Sequence, residues 1–120
     1  MVVRIGRVYD GRAAHDGRRV LIDRLWPRGL TKAEADVDQW SREVAPSTEL
    51  RKWFGHQPER FAEFGRRYRA ELHNGPQAAA LEDLRREVEQ YGEVTLLTAA
   101  KDPSTSHAAV LADLLGPSRE

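Results

Sequence analysis

The chain contains no cysteine. That absence removes disulfides, zinc–thiolate sites and thiol nucleophiles in one step. An excess of charge is also missing. Nineteen Lys and Arg balance nineteen Asp and Glu, and a pI near 6.9 provides no global attraction to nucleic acid or acidic lipid. Any cationic function must therefore be local. No apolar run approaches the roughly 18 residues of a membrane span, and Met1 to Tyr9, carrying Arg4 and Arg7, lacks the apolar segment of a secretory signal. A cytoplasmic location without a membrane partner is the expectation. There is neither a Gly-x-Gly-x-x-Gly motif nor a P-loop, which counts against dinucleotide binding and nucleotide hydrolysis. His15, His56, His73 and His107 form no pair at three- or four-residue spacing, so no bound metal and no cofactor is expected.

What is present reads as a folded α/β chain. With 120 residues, 40% hydrophobic and 32% charged, the composition suits one domain over 1–116 with a short frayed tail at 117–120. Arg greatly outnumbers Lys, which occurs at Lys32, Lys52 and Lys101. The Arg fork suits phosphate and carboxylate, although GC-rich codon usage produces the same bias.

Val3 to Tyr9 is short and β-branched and ends at the turn signal Asp10-Gly11, so it predicts a strand. Arg19 to Leu25 predicts the central strand, because Val20-Leu21-Ile22 is the continuous apolar run of a strand covered on both faces. Trp26-Pro27 should end it. Thr31 with Glu34 forms a capping box for a short helix from Lys32. Ala35 to Val44 fits either a helix face or an edge strand. Ser47 should cap a helix that Gly55 ends in a left-handed conformation, and Pro58 should occupy the first position of the next, whose stripe is Phe61, Phe64, Tyr68 and Leu72. After Asn74-Gly75-Pro76, the stripe Leu81, Leu84, Val88 and Tyr91 predicts another helix up to Gly92. Val94 to Ala99 predicts a second buried strand, and Asp102-Pro103 should cap a last helix burying Val110, Leu111, Leu114 and Leu115. Strands alternating with helices favour a parallel sheet.

Ligands of open parallel sheets sit at the carboxyl ends of strands. Two such ends are polar here: Asp23, Arg24, Trp26, Pro27 and Arg28 after one buried strand, and Thr98, Lys101, Asp102, Ser104, Thr105, Ser106 and His107 after the other. If the strands are neighbours, the two clusters share a rim. Lys101 with the first-turn hydroxyls suggests an anion site at a helix start, while Asp102 equally suits a plain cap. His107, expected one turn into that helix, is either a core histidine or the natural acid or base. Arg24 and Arg28 flank Trp26 in an arrangement that suits a phosphate or a stacked base. The alternative packs Trp26 in the core and pairs Arg28 with Asp23 or Asp36. Asp23 ends a buried strand and needs a partner, for which Arg24, Arg28 and Lys101 are candidates.

The same stretches carry a resemblance. Arg7-Val8-Tyr9-Asp10, Val20 to Leu30, Ala45 to His56, and Val94-Thr95-Leu96-Leu97 with Ala100-Lys101-Asp102 resemble the YeaO-like bacterial proteins, a branch of domain-of-unknown-function family 488. The resemblance implies a small three-layer Rossmann-like domain with a mostly parallel sheet of about 3–4 strands, and it implies no established reaction. It also implies that the wider family often places two cysteines where this chain has Thr98 and Ser106. Asp23, Pro27, Arg28, Lys101, Asp102 and His107 carry over by position.

Three functions follow as expectations. The first is binding of an anionic, phosphate-bearing small molecule or nucleotide at the rim, with Arg24, Trp26, Arg28, Lys101, Asp102, Ser104 and Thr105 as ligand-binding residues and His107 with Asp23 as the acid–base pair if chemistry occurs. The second is a nucleic-acid accessory protein using Arg24, Trp26, Arg28, Arg51 and Trp53. The third is an interaction or homodimer module using Trp53, Phe54, Phe61 and Phe64, so that monomer and homodimer both stay open.

Overall fold

In the computed structural model, which describes residues 1–116, the apolar runs pair into one sheet. Its strands are β1 (Val2–Arg7), β2 (Arg18–Leu21), β3 (Gln39–Trp40) and β4 (Glu93–Thr98), in the order β1-β4-β2-β3 with every pairing parallel. Five helices flank it: α1 (Lys32–Ala35), α2 (Thr48–Phe54), α3 (Phe61–Glu71), α4 (Gly75–Tyr91) and α5 (His107–Leu115). The α/β class and the parallel sheet are as expected. β2 and β4 are the interior strands, which is why Val20-Leu21 in the one and Leu96-Leu97 in the other are apolar on both faces.

Side-chain alternation divides the core into two faces. Val20, Ile22, Val94 and Leu96 project to one face and meet Phe54, Phe64, Tyr68, Leu84, Val88 and Leu111 from α2 to α5. Leu21, Leu97 and Val8 project to the other, where Ala35, Leu30, Trp26 and Trp40 cover them. Each aliphatic side chain fully buried in this way contributes about 1.5–3 kcal/mol.

Local chemistry sets several boundaries as read. The Thr31–Glu34 capping box forms, the Ser47 hydroxyl accepts from the Leu50 N–H at 3.1 Å, and Gly55 ends α2 at φ 53°. The ambiguous stretch 35–44 resolves into the edge strand β3 and a 3-10 turn at Arg42–Val44, because Asp36 at φ 51° stops α1 after one turn. Other expected boundaries shift. β2 ends at Leu21 rather than Leu25: the Ile22 N–H makes the last ladder bond, to the Leu97 carbonyl, and Asp23 then turns its carboxylate to the Ala99 N–H. Pro58 opens a 3-10 turn, Pro58–Arg60, ahead of α3. Asp102 likewise caps a 3-10 turn, Pro103–Thr105, and α5 takes its cap from Ser106. The tail expected at 117–120 lies outside the described residues.

At the amino end of the sheet one charge is enclosed. Arg19, 1% exposed, donates to Asp16 at 2.7 Å and to the carbonyls of Gly11, Ala35 and Asp36 at 3.0, 2.8 and 2.8 Å. Its backbone N–H donates to Asp38, and Arg12 bridges Asp36 and Asp38. Arg19→Met should therefore lower the unfolding free energy by about 3–5 kcal/mol in urea titrations, since it strands a carboxylate and three carbonyls; a loss under about 1 kcal/mol would contradict this role.

Acid should act through the same network. Burial pushes the carboxyls of Asp16 and Asp38 up, but the Ala13 N–H and Arg19 for the first, and the Arg19 N–H and Arg12 for the second, outweigh it and hold both below the ordinary value. The unfolded chain then takes up these protons first. Stability should be full at neutral pH and fall as pH drops through about 4 and below. In Asp16→Asn, urea midpoints measured across that range should fall less steeply than in the parent.

Candidate functional site

All four strands end at one rim, and β2 and β4 are neighbours. The loops that follow them therefore converge, as the sequence reading requires for a shared site. A cavity of about 300 Å³ opens between them. Residues 23–28 after β2 form one wall and Thr98, Ala99, Ser106 and His107 another. Arg51 of α2 and His56 just beyond it close a third side, over a floor that includes Phe54 and Phe64.

Asp23 and His107 meet in this cavity. His107 is the first residue of α5, not one turn inside it, because Ser106 supplies the cap by accepting from the Ala108 N–H at 3.1 Å. This places Nε2 at 3.1 Å from the Ile22 carbonyl and 3.2 Å from Asp23 Oδ1. The ring stands edge-on to Tyr68, at 6.1 Å and 76°. Tyr68 is itself fully buried and donates its hydroxyl to the Val44 carbonyl. Desolvation drives that phenol well above its ordinary pKa, so it stays a neutral donor. Asp23 Oδ2 accepts from the Ala99 N–H at 2.8 Å. Burial pushes the Asp23 carboxyl up, but His107, the Ala99 N–H and Thr98 together hold it below the usual carboxylate range, so it is ionised. The partner that Asp23 needs is thus His107 rather than Arg24, Arg28 or Lys101.

The arginines differ in how they are held. Arg24 donates to the Ala45 carbonyl at 3.0 Å and lies 3.3 Å from Glu43, while its buried Nε has no hydrogen-bond partner among the described residues. Arg28 is exposed at the cavity mouth. Its carbonyl accepts from the Tyr9 hydroxyl at 2.9 Å, but its guanidinium makes no hydrogen bond or ion pair among the described residues, and neither does that of Arg51. The alternative in which Arg28 pairs with Asp23 or Asp36 does not form, since Asp36 holds Arg12. Trp26 lines the cavity, half-buried, with its indole N–H on the Leu30 carbonyl at 2.7 Å and its ring edge-on to Trp40 at 5.4 Å.

Four predicted residues stand apart from the cavity lining. Asp102 folds back onto Ser104, accepting from its N–H at 3.1 Å and its hydroxyl at 2.6 Å; Thr105 turns toward the Asp102 carbonyl; Lys101 is exposed. Because α5 starts at His107, these groups cap a 3-10 turn instead of framing a helix N-terminus. Among the aromatic residues named for other functions, Trp53 has Arg60 and Arg67 over its ring, at 5.2 and 4.2 Å, and Phe54 and Phe64 are buried and stacked 4.4 Å apart. Thr98 and Ser106, read as part of the polar cluster after the second buried strand, line the cavity, and Tyr9 and His56 join it without having been singled out as site residues. Arg51, named from the sequence for a nucleic-acid patch and not for this rim, lines it too. Among the described residues no group of three or more His, Asp or Glu side chains converges as metal ligands, and no helix is long and apolar enough to cross a membrane.

Comparison with known proteins agrees on family and leaves chemistry open. The uncharacterised protein Rv3073c of Mycobacterium tuberculosis strain H37Rv is 50% identical over 113 residues, covering 94% of this chain and 92% of that protein. The uncharacterised protein Mb3100c of Mycobacterium bovis has the same identity and coverage. The uncharacterised protein YeaO of Escherichia coli K12 is 42% identical over 116 residues, covering 96% of this chain and 97% of YeaO. No solved structure matches the chain. The YeaO-like resemblance read from the sequence thus holds along nearly its whole length, and the family described as the inactive DUF488-N3 subclade matches residues 2–119. The chain belongs to the inactive DUF488-N3 subclade.

Proposed function

We propose that the domain binds a phosphate-bearing small molecule or nucleotide in the rim cavity and holds it without turning it over. The observation that carries this reading is the pair of uncommitted guanidiniums, Arg28 and Arg51, on a cavity whose one lining carboxylate, Asp23, is already matched by His107. In a chain of zero net charge, that is a local cationic surplus at a concave site. Guanidiniums bind phosphate with paired, charge-assisted hydrogen bonds, and the aromatic floor of Phe54, Phe64 and Trp26 suits an organic portion.

Two features favour binding over catalysis. The family is described as inactive. The places where the resemblance puts cysteines in the wider family hold Thr98 and Ser106, whose oxygens accept from the N–H groups of Ala100 and Ala108. The nucleic-acid reading loses support because the faces of Trp53 already carry Arg60 and Arg67.

Thermal-shift and calorimetric titrations with inorganic phosphate, sugar phosphates and nucleotides at low salt test the proposal. A ligand at a hundred times its dissociation constant adds about 2.7 kcal/mol, raising the melting temperature by about 10 °C. Arg28→Ala and Arg51→Ala should each weaken binding about tenfold or more, as the loss of a charged hydrogen bond requires. A panel with no binder, or a binder indifferent to both substitutions, defeats the reading. The bound ligand should also be recovered chemically unchanged. Conversion that stops in His107→Ala would replace binding alone with acid–base chemistry.

A further inference from the structure

The hydrogen bonds around His107 fix more than its position. Its Nε2 faces two oxygens at once, the Ile22 carbonyl at 3.1 Å and Asp23 Oδ1 at 3.2 Å. A carbonyl and an ionised carboxylate can only accept. A bare Nε2 lone pair there would face two acceptors with no proton between them, so Nε2 carries the hydrogen. In a neutral imidazole the other nitrogen, Nδ1, is then the acceptor. Nδ1 has no hydrogen-bond partner among the described residues, and His107 lines the cavity.

Apart from the hydroxyl oxygens of Tyr9 and Thr98, the remaining polar side chains do not offer a fixed acceptor. Arg24, Arg28 and Arg51 are donors without acceptor capacity. Asp23 spends Oδ2 on Ala99, and its Oδ1, 3.2 Å from His107 Nε2, is buried away from a ligand and makes no hydrogen bond among the described residues. The hydroxyl of Ser106 donates to the Pro103 carbonyl and accepts from Ala108. His56 is exposed, and no hydrogen bond fixes which of its nitrogens holds the proton. A ligand therefore meets donors for an anion and, at His107, an acceptor nitrogen held in place.

Resting on the reading that this cavity takes a phosphate, we infer that His107 Nδ1 selects organic phosphates that bring their own N–H or O–H donor, with the Ile22 carbonyl fixing the histidine tautomer and the Asp23 charge favouring it. Size points the same way. A cavity of about 300 Å³ has the volume share of about ten waters, well beyond a bare oxyanion. Its aromatic floor adds a surface that only an organic portion can use.

Two measurements test this. In the ligand-free protein at about pH 8, above the ordinary imidazole range, nitrogen-15 spectra should show His107 protonated on Nε2. Asp23→Asn, which removes the charge but keeps the Ile22 carbonyl in place, should lower the Nε2–H population without abolishing it, a change that a merely structural role for Asp23 would not produce. A parent protein protonated on Nδ1 overturns the inference before any ligand is added.

Calorimetry then compares ribonucleoside monophosphates with phenyl phosphate, an organic phosphate whose organic part has no donor. The parent should prefer the best nucleoside monophosphate by about tenfold, which is about 1.4 kcal/mol. In His107→Phe, which keeps an aromatic ring against Tyr68, that preference should fall to about twofold or less, whatever affinity both ligands lose in common. Preference retained in His107→Phe defeats this inference and leaves anion binding standing. Failure of every organic phosphate, phenyl phosphate included, to bind the parent defeats both.

Discussion

Arg19 stands where β2 begins, its guanidinium enclosed beneath the turn that leads into the strand. A charge so deprived of water is costly unless every donor is met, and here each partner comes from a different part of the chain. Gly11 and Asp16 belong to the loop after β1, and Ala35 and Asp36 to the end of α1. Asp38, which receives the Arg19 backbone N–H, starts the approach to β3. The turn reaches Arg19 only because Gly17, at φ 63°, passes so close to Glu93 that a Cβ would lie 2.4 Å from its carbonyl oxygen. Meeting one buried cation thus fixes the β1–β2 loop, the single turn of α1 and the edge strand together.

That closure makes the two ends of the sheet unlike. At the amino end, Arg12 and Arg19 are matched against Asp16, Asp36 and Asp38. At the carboxyl end, Asp23 is matched by His107 while Arg28 and Arg51 face solvent without a carboxylate. Equal totals of acid and base therefore conceal an uneven distribution. The amino end spends its charges on structure, and the uncommitted ones lie where loops of a parallel sheet ordinarily meet ligands.

The sequence displays the parts of the fold that local chemistry decides. A hydroxyl three residues before a glutamate, a serine before an apolar stripe and a glycine after Phe54 are each satisfied within a few residues of themselves. Strand order is different, because inserting β4 between β1 and β2 depends on pairings more than seventy residues apart, such as Arg18 with Val94. The same distinction separates the site residues. Asp23 and His107 were legible as polar residues after the two buried strands, but their contact was not, because a carboxylate ending a buried strand invites a cation such as Arg24, Arg28 or Lys101 before a histidine. Arg51 and His56 reach the cavity from α2, and nothing in their own neighbourhood announces it. Asp102 and Lys101 misled for a local reason: Asp-Pro is as good a start for a 3-10 turn as for a helix, and Ser106 offered the better cap three residues before Ala109.

The cavity walls are tied down by main-chain acceptors rather than by one another. Trp40 donates to the Asp23 carbonyl, Tyr9 to that of Arg28, Trp26 to that of Leu30, and Arg24 and Gln77 share that of Ala45. Each bond anchors a loop whose backbone no strand pairs, so the loop ordering is complete before a ligand arrives. Association then has less conformational entropy to overcome, and a modest set of charge-assisted contacts suffices for affinity. On the proposed reading, this anchoring fits a domain that recognises and retains a ligand: Asp23 Oδ2, His107 Nε2 and the hydroxyls of Thr98 and Ser106 are held by the backbone, and the guanidiniums of Arg28 and Arg51 are suited to holding charge rather than moving protons.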